Sequence, residues 1–212
     1  MKICILAFPR TSSSSLLKVL GELTNTSIIP EPFNPMLWNY KQQSLNFNKI
    51  INSKDIIVKV MYDVNELPVG INSFEELLEI IKEKFTHIIC LYRDNLREQS
   101  ESFVYHRWLQ DNVDKNIRWH NQKIYDISVL NETDIVNRME FTKLQNKKLI
   151  DFANNNNFPI YRYEDLIINE GNNESFVKIC EYIDIEFDYS KIYKHYNKNN
   201  RVRVERNIKS LI

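Results

Sequence analysis

Short apolar runs alternate along the chain with segments in which apolar residues recur at helical spacing. A strand that is covered on both faces has a continuous apolar sequence, so the runs predict buried strands. These runs lie at residues 3–7, 55–61 and 86–92. After the first run, Leu16, Leu17 and Leu20 predict one face of an amphipathic helix. The pattern predicts an α/β fold with a mainly parallel sheet of about five strands, flanked by helices.

Further elements follow from capping residues and from helical periodicity. Short strands are predicted at residues 27–30 and at the start of the segment 158–166, which ends in an acidic turn. Ser73 and either Asp94 or Asn95 are candidate N-caps, because their side chains can accept hydrogen bonds from the first turn of a helix. The predicted later helices cover residues 73–85, 96–109, 134–153 and 174–185, and residues 111–133 are ambiguous.

Length and charge limit the class of protein. The 212 residues, 43% of them hydrophobic, can bury one substantial core, so we expect a single domain over residues 1–212. The net charge of zero does not favour nucleic acid or a membrane surface as a partner. No apolar run reaches the roughly 18 residues of a membrane span, and no signal peptide precedes the first strand. Together with cysteines that lack metal-ligand or disulfide spacing, this predicts a cytoplasmic protein.

Basic and hydroxyl residues follow the predicted strands. Arg10 and the hydroxyl residues of 11–15 follow the first strand, Lys59 lies near the end of the next long one, and Arg93 follows the third. In parallel sheets, ligands bind outside the carboxyl ends of the strands. The N–H groups at the start of a helix also form an anion site. The combination indicates a ligand with several phosphate-like groups.

A glycine-rich phosphate loop is not available to this chain. A Walker A loop needs glycines for close backbone approach, followed by Lys and then Ser or Thr. The chain has three glycines and no such Lys in the first turn. An ATP-dependent kinase of P-loop type is therefore disfavoured and stays as an alternative, whose signature is Mg²⁺-dependent binding of ATP.

Two motifs resemble those of the sulfotransferases that use 3'-phosphoadenosine-5'-phosphosulfate (PAPS). "FPRTSSSSLL" resembles their 5'-phosphosulfate loop, and "CLYRDNLREQSES" resembles their 3'-phosphate motif. The resemblance implies the P-loop NTPase-like sulfotransferase fold, PAPS as the donor and no metal. It implies donor contacts from the residues that match the two motifs. These are Arg10, Thr11, Ser12, Ser13 and Ser14 in the first motif and Arg93 with Ser102, or with Ser100 as the competing choice, in the second.

Ser12 departs from the family pattern, which has Gly at this position. If the position requires a positive φ, a serine there costs about 1 kcal/mol or more. A catalytically silent relative that binds a nucleotide or a protein partner is therefore a further alternative.

The resemblance also suggests the catalytic residues and the acceptor. "PEPF" resembles the loop that carries an acidic residue in carbohydrate and tyrosyl-protein sulfotransferases, which makes Glu31 the candidate base for the acceptor hydroxyl. "VKVMYD" resembles a motif of the bacterial trehalose-type enzymes. For Lys59 of this segment we consider two roles, a contact with the transferred sulfonate or a pairing with Glu31. Met61 replaces the catalytic His of the phenol and steroid branch. The acceptor expected is therefore a carbohydrate or another small alcohol or phenol.

The remaining expectations concern the basic tail, the acceptor region and the oligomeric state. The tail at residues 190–212 resembles the basic loop that closes on the nucleotide in this family, with Arg201 and Arg203 as candidate ligands. The resemblance assigns residues 103–157 to the acceptor side, where no motif is recognisable. The chain is short for this family, which leads to the hypothesis of a small or open acceptor cleft, and a second subunit of a homodimer is a candidate to complete it.

Overall fold

Five parallel strands form the central sheet of the computed structural model, in the order β2-β3-β1-β4-β5. The strands are β1 (Lys2–Ala7), β2 (Ile28–Pro30), β3 (Ile56–Met61), β4 (His87–Tyr92) and β5 (Ile160–Arg162). The structure describes residues 1–34, 39–62, 67–68, 70–112, 127–166 and 174–193. In the centre of the sheet, Ile5 of β1 pairs with Lys59 of β3 and with Ile89 of β4. The predicted α/β class is confirmed.

Helices cover both faces of the sheet. They are α1 (Ser13–Thr24), α2 (Tyr40–Asn52), α3 (Phe74–Lys84), α4 (Leu96–Asn112), α5 (Glu132–Asn155) and α6 (Glu174–Tyr182). Short 3-10 helices lie at Ile127–Val129 and Tyr163–Leu166. On one face α1 and α6 pack against β1, and on the other α2, α3 and α5 form a second apolar cluster with β3. This two-sided cover explains why the strands have continuous apolar sequences.

The predicted caps form where the sequence placed them. Ser73 accepts a hydrogen bond from the Glu76 N–H at 3.1 Å, and α3 begins at the next residue. Of the two candidates before α4, Asn95 is the cap, because its Oδ1 accepts from the Glu98 N–H at 3.1 Å. These side chains satisfy N–H groups that have no partner within the helix.

Helix α6 ends three residues before the predicted position. Asp184 has a φ of 54°, and the Ile185 N–H donates to the Cys180 carbonyl at 3.0 Å. A left-handed residue followed by a bond back across the last turn is a Schellman-type end. The apolar residues after Tyr182 extended the helical periodicity past this stop.

Helix α2 was not predicted, because polar residues occupy its buried side. Gln43 and Asn46 are 8% and 6% exposed, and they share the buried side with Ile50. Asn46 donates to the Pro32 carbonyl at 3.2 Å, so its burial is compensated by a hydrogen bond. A helix that buries amides in this way has no apolar periodicity to recognise.

The three cysteines are buried, free side chains, as their apolar surroundings predicted. Burial raises the pKa of the Cys90 thiol to about 12, so it stays protonated and unreactive at neutral pH. Within the described residues, no helix is long and apolar enough to cross a membrane.

The packing of α5 on the sheet can be tested with two leucines of the same helix. Leu149 is completely buried against the sheet, whereas Leu144 is 52% exposed. We expect Leu149→Ala to lower the free energy of unfolding by about 2 to 5 kcal/mol, and the control Leu144→Ala to change it by less than about 0.5 kcal/mol. Urea unfolding followed by circular dichroism measures both, and equal losses would contradict this orientation of α5.

Candidate functional site

The β1–α1 loop, residues 8–12, has an unusual backbone. Arg10 and Ser12 have φ values of 70° and 53°, in the left-handed region that favours glycine. Ser12 is the N-cap of α1, and its side chain makes no capping hydrogen bond. The first intrahelical bonds, from Ser15 and Leu16, both go to the Ser12 carbonyl. The N–H groups of Ser13 and Ser14 precede these bonds, so they belong to the helix N-terminus that attracts anions.

Protein donors hold three successive carbonyls of this loop. The buried Thr11 hydroxyl donates to the Phe8 carbonyl at 3.0 Å, and Gln99 Nε2 donates to the Pro9 carbonyl at 2.6 Å. Arg93 donates to the Arg10 carbonyl at 3.3 Å. The loop is thereby fixed to the start of α4. The Thr11 hydroxyl proton is used within the loop and is not directed at the helix N-terminus.

Lys59 connects the β1–α1 loop with the turn that follows β2. Its ammonium donates to Ser14 Oγ at 2.7 Å and forms an ion pair with the Glu31 carboxylate. The Lys59 side chain is 3% exposed, and an ion pair is the usual compensation for a buried charge. Of the two roles considered for Lys59, this structure contains the pairing with Glu31.

Glu31 is held by its backbone as well as by its side chain. Its φ is 45°, and its N–H donates to the Lys59 carbonyl at 3.0 Å, which continues the pairing of β2 with β3. Its second carboxylate oxygen accepts from Asn34 Nδ2 at 2.6 Å. Ser14, Lys59 and Glu31 therefore form one connected chain of hydrogen bonds at the carboxyl edge of the sheet.

Arg93 is a second buried cation at the same edge. Its side chain is 4% exposed, and its guanidinium lies over the Tyr163 ring at 4.5 Å. Glu98 Oε2 is 2.6 Å from its Nη2 atom, and Glu164 Oε1 is 3.7 Å from its Nε. Asn146 also donates to the Arg93 carbonyl at 3.0 Å. The side chain is thus oriented by an aromatic face and two carboxylates.

The two candidate serines of α4 occupy different environments. Ser102 is partly exposed, and its hydroxyl accepts from Arg10 Nε at 2.8 Å. Ser100 is completely buried, and its hydroxyl has no hydrogen-bond partner among the residues that the structure describes. The structure therefore brings Ser102, and not Ser100, to the side of the loop that carries Arg10.

The end of β5 and the turn after it contribute residues for which the sequence suggested no role. Arg162 pairs with Asp94 at 3.2 Å and with Asp165 at 2.8 Å. Glu164 accepts the N–H groups of Asp94 and Asn95 at 3.2 and 3.1 Å. In the sequence these residues were indicated only by the acidic turn directly after the last strand. Their partners could not be predicted from the sequence, because Asp94 and Asn95 lie about 70 positions earlier in the chain.

His106 lies one turn after Ser102 on α4. Burial, and secondarily the positive charge of Arg10, lower its pKa to about 3. The imidazole is therefore neutral at physiological pH.

A cavity of about 540 Å³ lies between α4 and α5. Aromatic and charged side chains line it, among them Phe103, Trp108, Asp134 and Arg138. The Arg138 guanidinium lies 3.5 Å from the Phe103 ring centre and 4.9 Å from that of Phe8, at the start of the β1–α1 loop. The cavity is thus adjacent to the loop and falls in the region that the family resemblance assigns to the acceptor.

Two of the expected ligands lie outside the described residues. Arg201 and Arg203 belong to the segment 194–212, so their part in the site stays a prediction.

The comparisons with known proteins establish the fold. No protein-family model and no curated protein matches the chain. Among solved structures, the chain is similar to mouse sulfotransferase SULT7A1 in its complex with PAP, with a TM-score of 0.55 and 14% sequence identity. The match covers 92% of this chain and 62% of that chain, so this chain spans less than two thirds of the mouse protein's length. The chain has a sulfotransferase-like α/β fold.

The strain in the β1–α1 loop can be measured with a pair of glycine variants. Ser12→Gly should raise the free energy of unfolding by about 1 kcal/mol, because glycine adopts a φ of 53° without the steric cost of a Cβ. Ser15→Gly is the control within α1, and it should lower the free energy of unfolding by about 0.5 kcal/mol. Chemical denaturation compares them, and destabilisation by Ser12→Gly would show that the loop is not strained at this residue.

Proposed function

We propose that the protein is a sulfotransferase that moves the sulfuryl group of PAPS to an acceptor hydroxyl. The observation that carries the proposal is the pair of buried cations, Lys59 and Arg93, on either side of one helix N-terminus. This arrangement suits a ligand with two separate anionic groups, since each group meets its own cation. The sulfotransferase-like fold supports the same reading.

The 5'-phosphosulfate would bind at the start of α1. The main-chain N–H groups of Ser12, Ser13 and Ser14 and the Ser14 hydroxyl would contact its oxygens. Arg10 would neutralise the charge that develops on the oxygen bridging sulfur and phosphorus. Lys59 already contacts Ser14 at 2.7 Å, so its ammonium lies within reach of the same group. Thr11 supports the site through its bond to the Phe8 carbonyl.

The 3'-phosphate would bind to Arg93 and Ser102. Arg10 joins the two halves of this donor site, because its Nε donates to Ser102 and its carbonyl accepts from Arg93. Through these two contacts of Arg10, the donor-loop contacts and the 3'-phosphate contacts would be mechanically coupled. A contact with the 3'-phosphate would also distinguish PAPS from nucleotides such as ATP.

The reaction needs a proton acceptor and an in-line approach of the acceptor hydroxyl. The acceptor oxygen forms a bond to sulfur while the bond from sulfur to the bridging oxygen breaks, and adenosine 3',5'-bisphosphate leaves. Glu31 would take the hydroxyl proton, and Lys59 would stabilise charge on the transferred group. Since the transition state of such a transfer is loose, positioning contributes more than covalent catalysis.

The acceptor side is proposed to be the cavity between α4 and α5. Its aromatic rings and its charged groups suit a carbohydrate or another small alcohol or phenol. Glu31 and Met61 favour the carbohydrate, tyrosyl or bacterial type over the phenol and steroid type. A second subunit that completes the cleft remains part of the proposal, as does a cytoplasmic location.

Binding of adenosine 3',5'-bisphosphate tests the donor site. By calorimetry without metal, we expect micromolar binding of the bisphosphate and weaker binding of adenosine 5'-phosphate (AMP). Arg93→Ala should weaken bisphosphate binding by about tenfold or more and AMP binding by less, because AMP loses only the support that Arg93 gives to the Arg10 carbonyl. Arg97→Ala is the matched control, since Arg97 is 53% exposed and pairs with Glu101 and Glu132.

The outcomes separate the alternatives. Preference for Mg·ATP would indicate the kinase, and absence of all nucleotide binding would contradict the donor site. Retained AMP binding by Arg93→Ala shows that the variant is folded. Bisphosphate binding without transfer to any acceptor would favour a catalytically silent relative.

Glu31→Gln tests the base. Transfer of labelled sulfate from PAPS to a panel of sugars, alcohols and phenols should fall by about a hundredfold or more, because Gln cannot take the proton. Retained bisphosphate binding shows that the variant is folded. Glu79→Gln is the control, a 70% exposed carboxylate on α3 that pairs with Lys82. Full transfer activity of Glu31→Gln would remove Glu31 from the mechanism.

A further inference from the structure

A carboxylate already occupies one edge of the Arg93 guanidinium. Glu98 Oε2 lies 2.6 Å from Arg93 Nη2, and the two side chains are 46% and 4% exposed. Because the cation is buried and the carboxylate is at the surface, an incoming anion would approach Arg93 from the side on which Glu98 lies.

The first turn of α4 fixes Glu98 in this position. Asn95 Oδ1 accepts from the Glu98 N–H at 3.1 Å, and Asn95 Nδ2 donates to Glu98 Oε2 at 3.2 Å. The spacing of N-cap and Glu is that of a capping box, and a negative charge is favoured in the first turn of a helix. The local sequence N-L-R-E therefore directs a carboxylate onto Arg93 without any ligand.

Glu98 differs in this respect from Glu164, the other carboxylate near Arg93. Glu164 accepts two main-chain N–H groups, from Asp94 and Asn95, so its displacement would leave backbone donors without their partner. The contacts of Glu98 with Arg93 and Asn95 are made by side-chain atoms. Rotation of the Glu98 side chain releases both contacts while the helix backbone stays in place.

We propose that Glu98 is an internal competitor for the 3'-phosphate and thereby sets how tightly 3'-phosphorylated nucleotides bind. The inference rests on the proposed function and adds a residue that opposes binding. A phosphate monoester carries a charge of about −1.5 to −2 at neutral pH, so it and a carboxylate repel each other at one guanidinium edge. The 3'-phosphate therefore displaces Glu98, and the energy of the lost ion pair is subtracted from its binding.

This competition has a consequence for turnover. The product, adenosine 3',5'-bisphosphate, keeps the 3'-phosphate, so tight contacts to Arg93 would also retain the product. A carboxylate that returns to Arg93 when the phosphate moves away favours dissociation. Glu98 then acts on affinity and on the rate of product release, and nucleotides without a 3'-phosphate do not experience it.

The test is Glu98→Gln, with binding of adenosine 3',5'-bisphosphate and of AMP measured by calorimetry. Gln keeps the polar capping contact and removes the charge, so the helix end is preserved. We expect the Kd of the bisphosphate to fall about fivefold, with a slower dissociation rate in stopped flow, while the Kd of AMP stays within about twofold. Glu132→Gln is the matched control, because it removes a carboxylate paired with Arg97 and has no effect on Arg93.

Each result has a separate meaning. If the wild type binds the bisphosphate and Glu98→Gln leaves the ratio of the two Kd values unchanged, the competitor role is wrong and the proposed donor site stands. If Glu98→Gln weakens both ligands and lowers the unfolding temperature, Glu98 is only a structural cap and the inference is overturned. If the wild type binds neither nucleotide, the proposed function fails and the inference fails with it.

Discussion

The site depends on the burial of two cations at the carboxyl edge of a parallel sheet. The side chains of Lys59 and Arg93 are 3% and 4% exposed, and a buried cation without a partner would cost several kcal/mol. Each therefore has a carboxylate next to it, Glu31 for Lys59 and Glu98 for Arg93. The turn after β2 and the first turn of α4 are held in place by these pairs, so the geometry of the edge follows from the need to compensate two charges.

The backbone at this edge of the sheet is strained in the β1–α1 loop and in the turn after β2. Arg10, Ser12 and Glu31 all have positive φ values, which non-glycine residues adopt at a cost of about 1 kcal/mol or more. The surrounding contacts maintain these conformations, among them the bond from Gln99 to the Pro9 carbonyl at 2.6 Å. A loop whose strained conformation is maintained by neighbouring contacts is rigid. A rigid loop would position an anion better than a flexible serine-rich turn.

The sequence predicted those parts of the fold that depend on local pattern. Continuous apolar runs identified the strands, and the spacing of Ser73 and of Asn95 to the following turn identified helix starts. Helix α2 was not predicted, because its buried side includes the polar residues Gln43 and Asn46 and therefore has no apolar periodicity. The hydrogen-bond partner that compensates the burial of Asn46 is set by tertiary structure. The different environments of Ser100 and Ser102 could not be predicted from the motif spacing, because the burial of each side chain depends on tertiary structure.

At the two buried cations of the proposed donor site, ligand binding would be an exchange of anions and not an addition of one. Lys59 and Arg93 are already paired, so a phosphate or sulfonate would gain a contact with either cation only as a carboxylate gives one up. The net gain in binding free energy is then the difference between the energies of two similar ion pairs, which is small compared with the energy of either pair. Discrimination would then come from geometry, because a ligand that reaches Lys59, the start of α1 and Arg93 together makes both exchanges and also gains the main-chain N–H contacts of α1. A ligand with a single anionic group makes one, and its affinity is correspondingly lower.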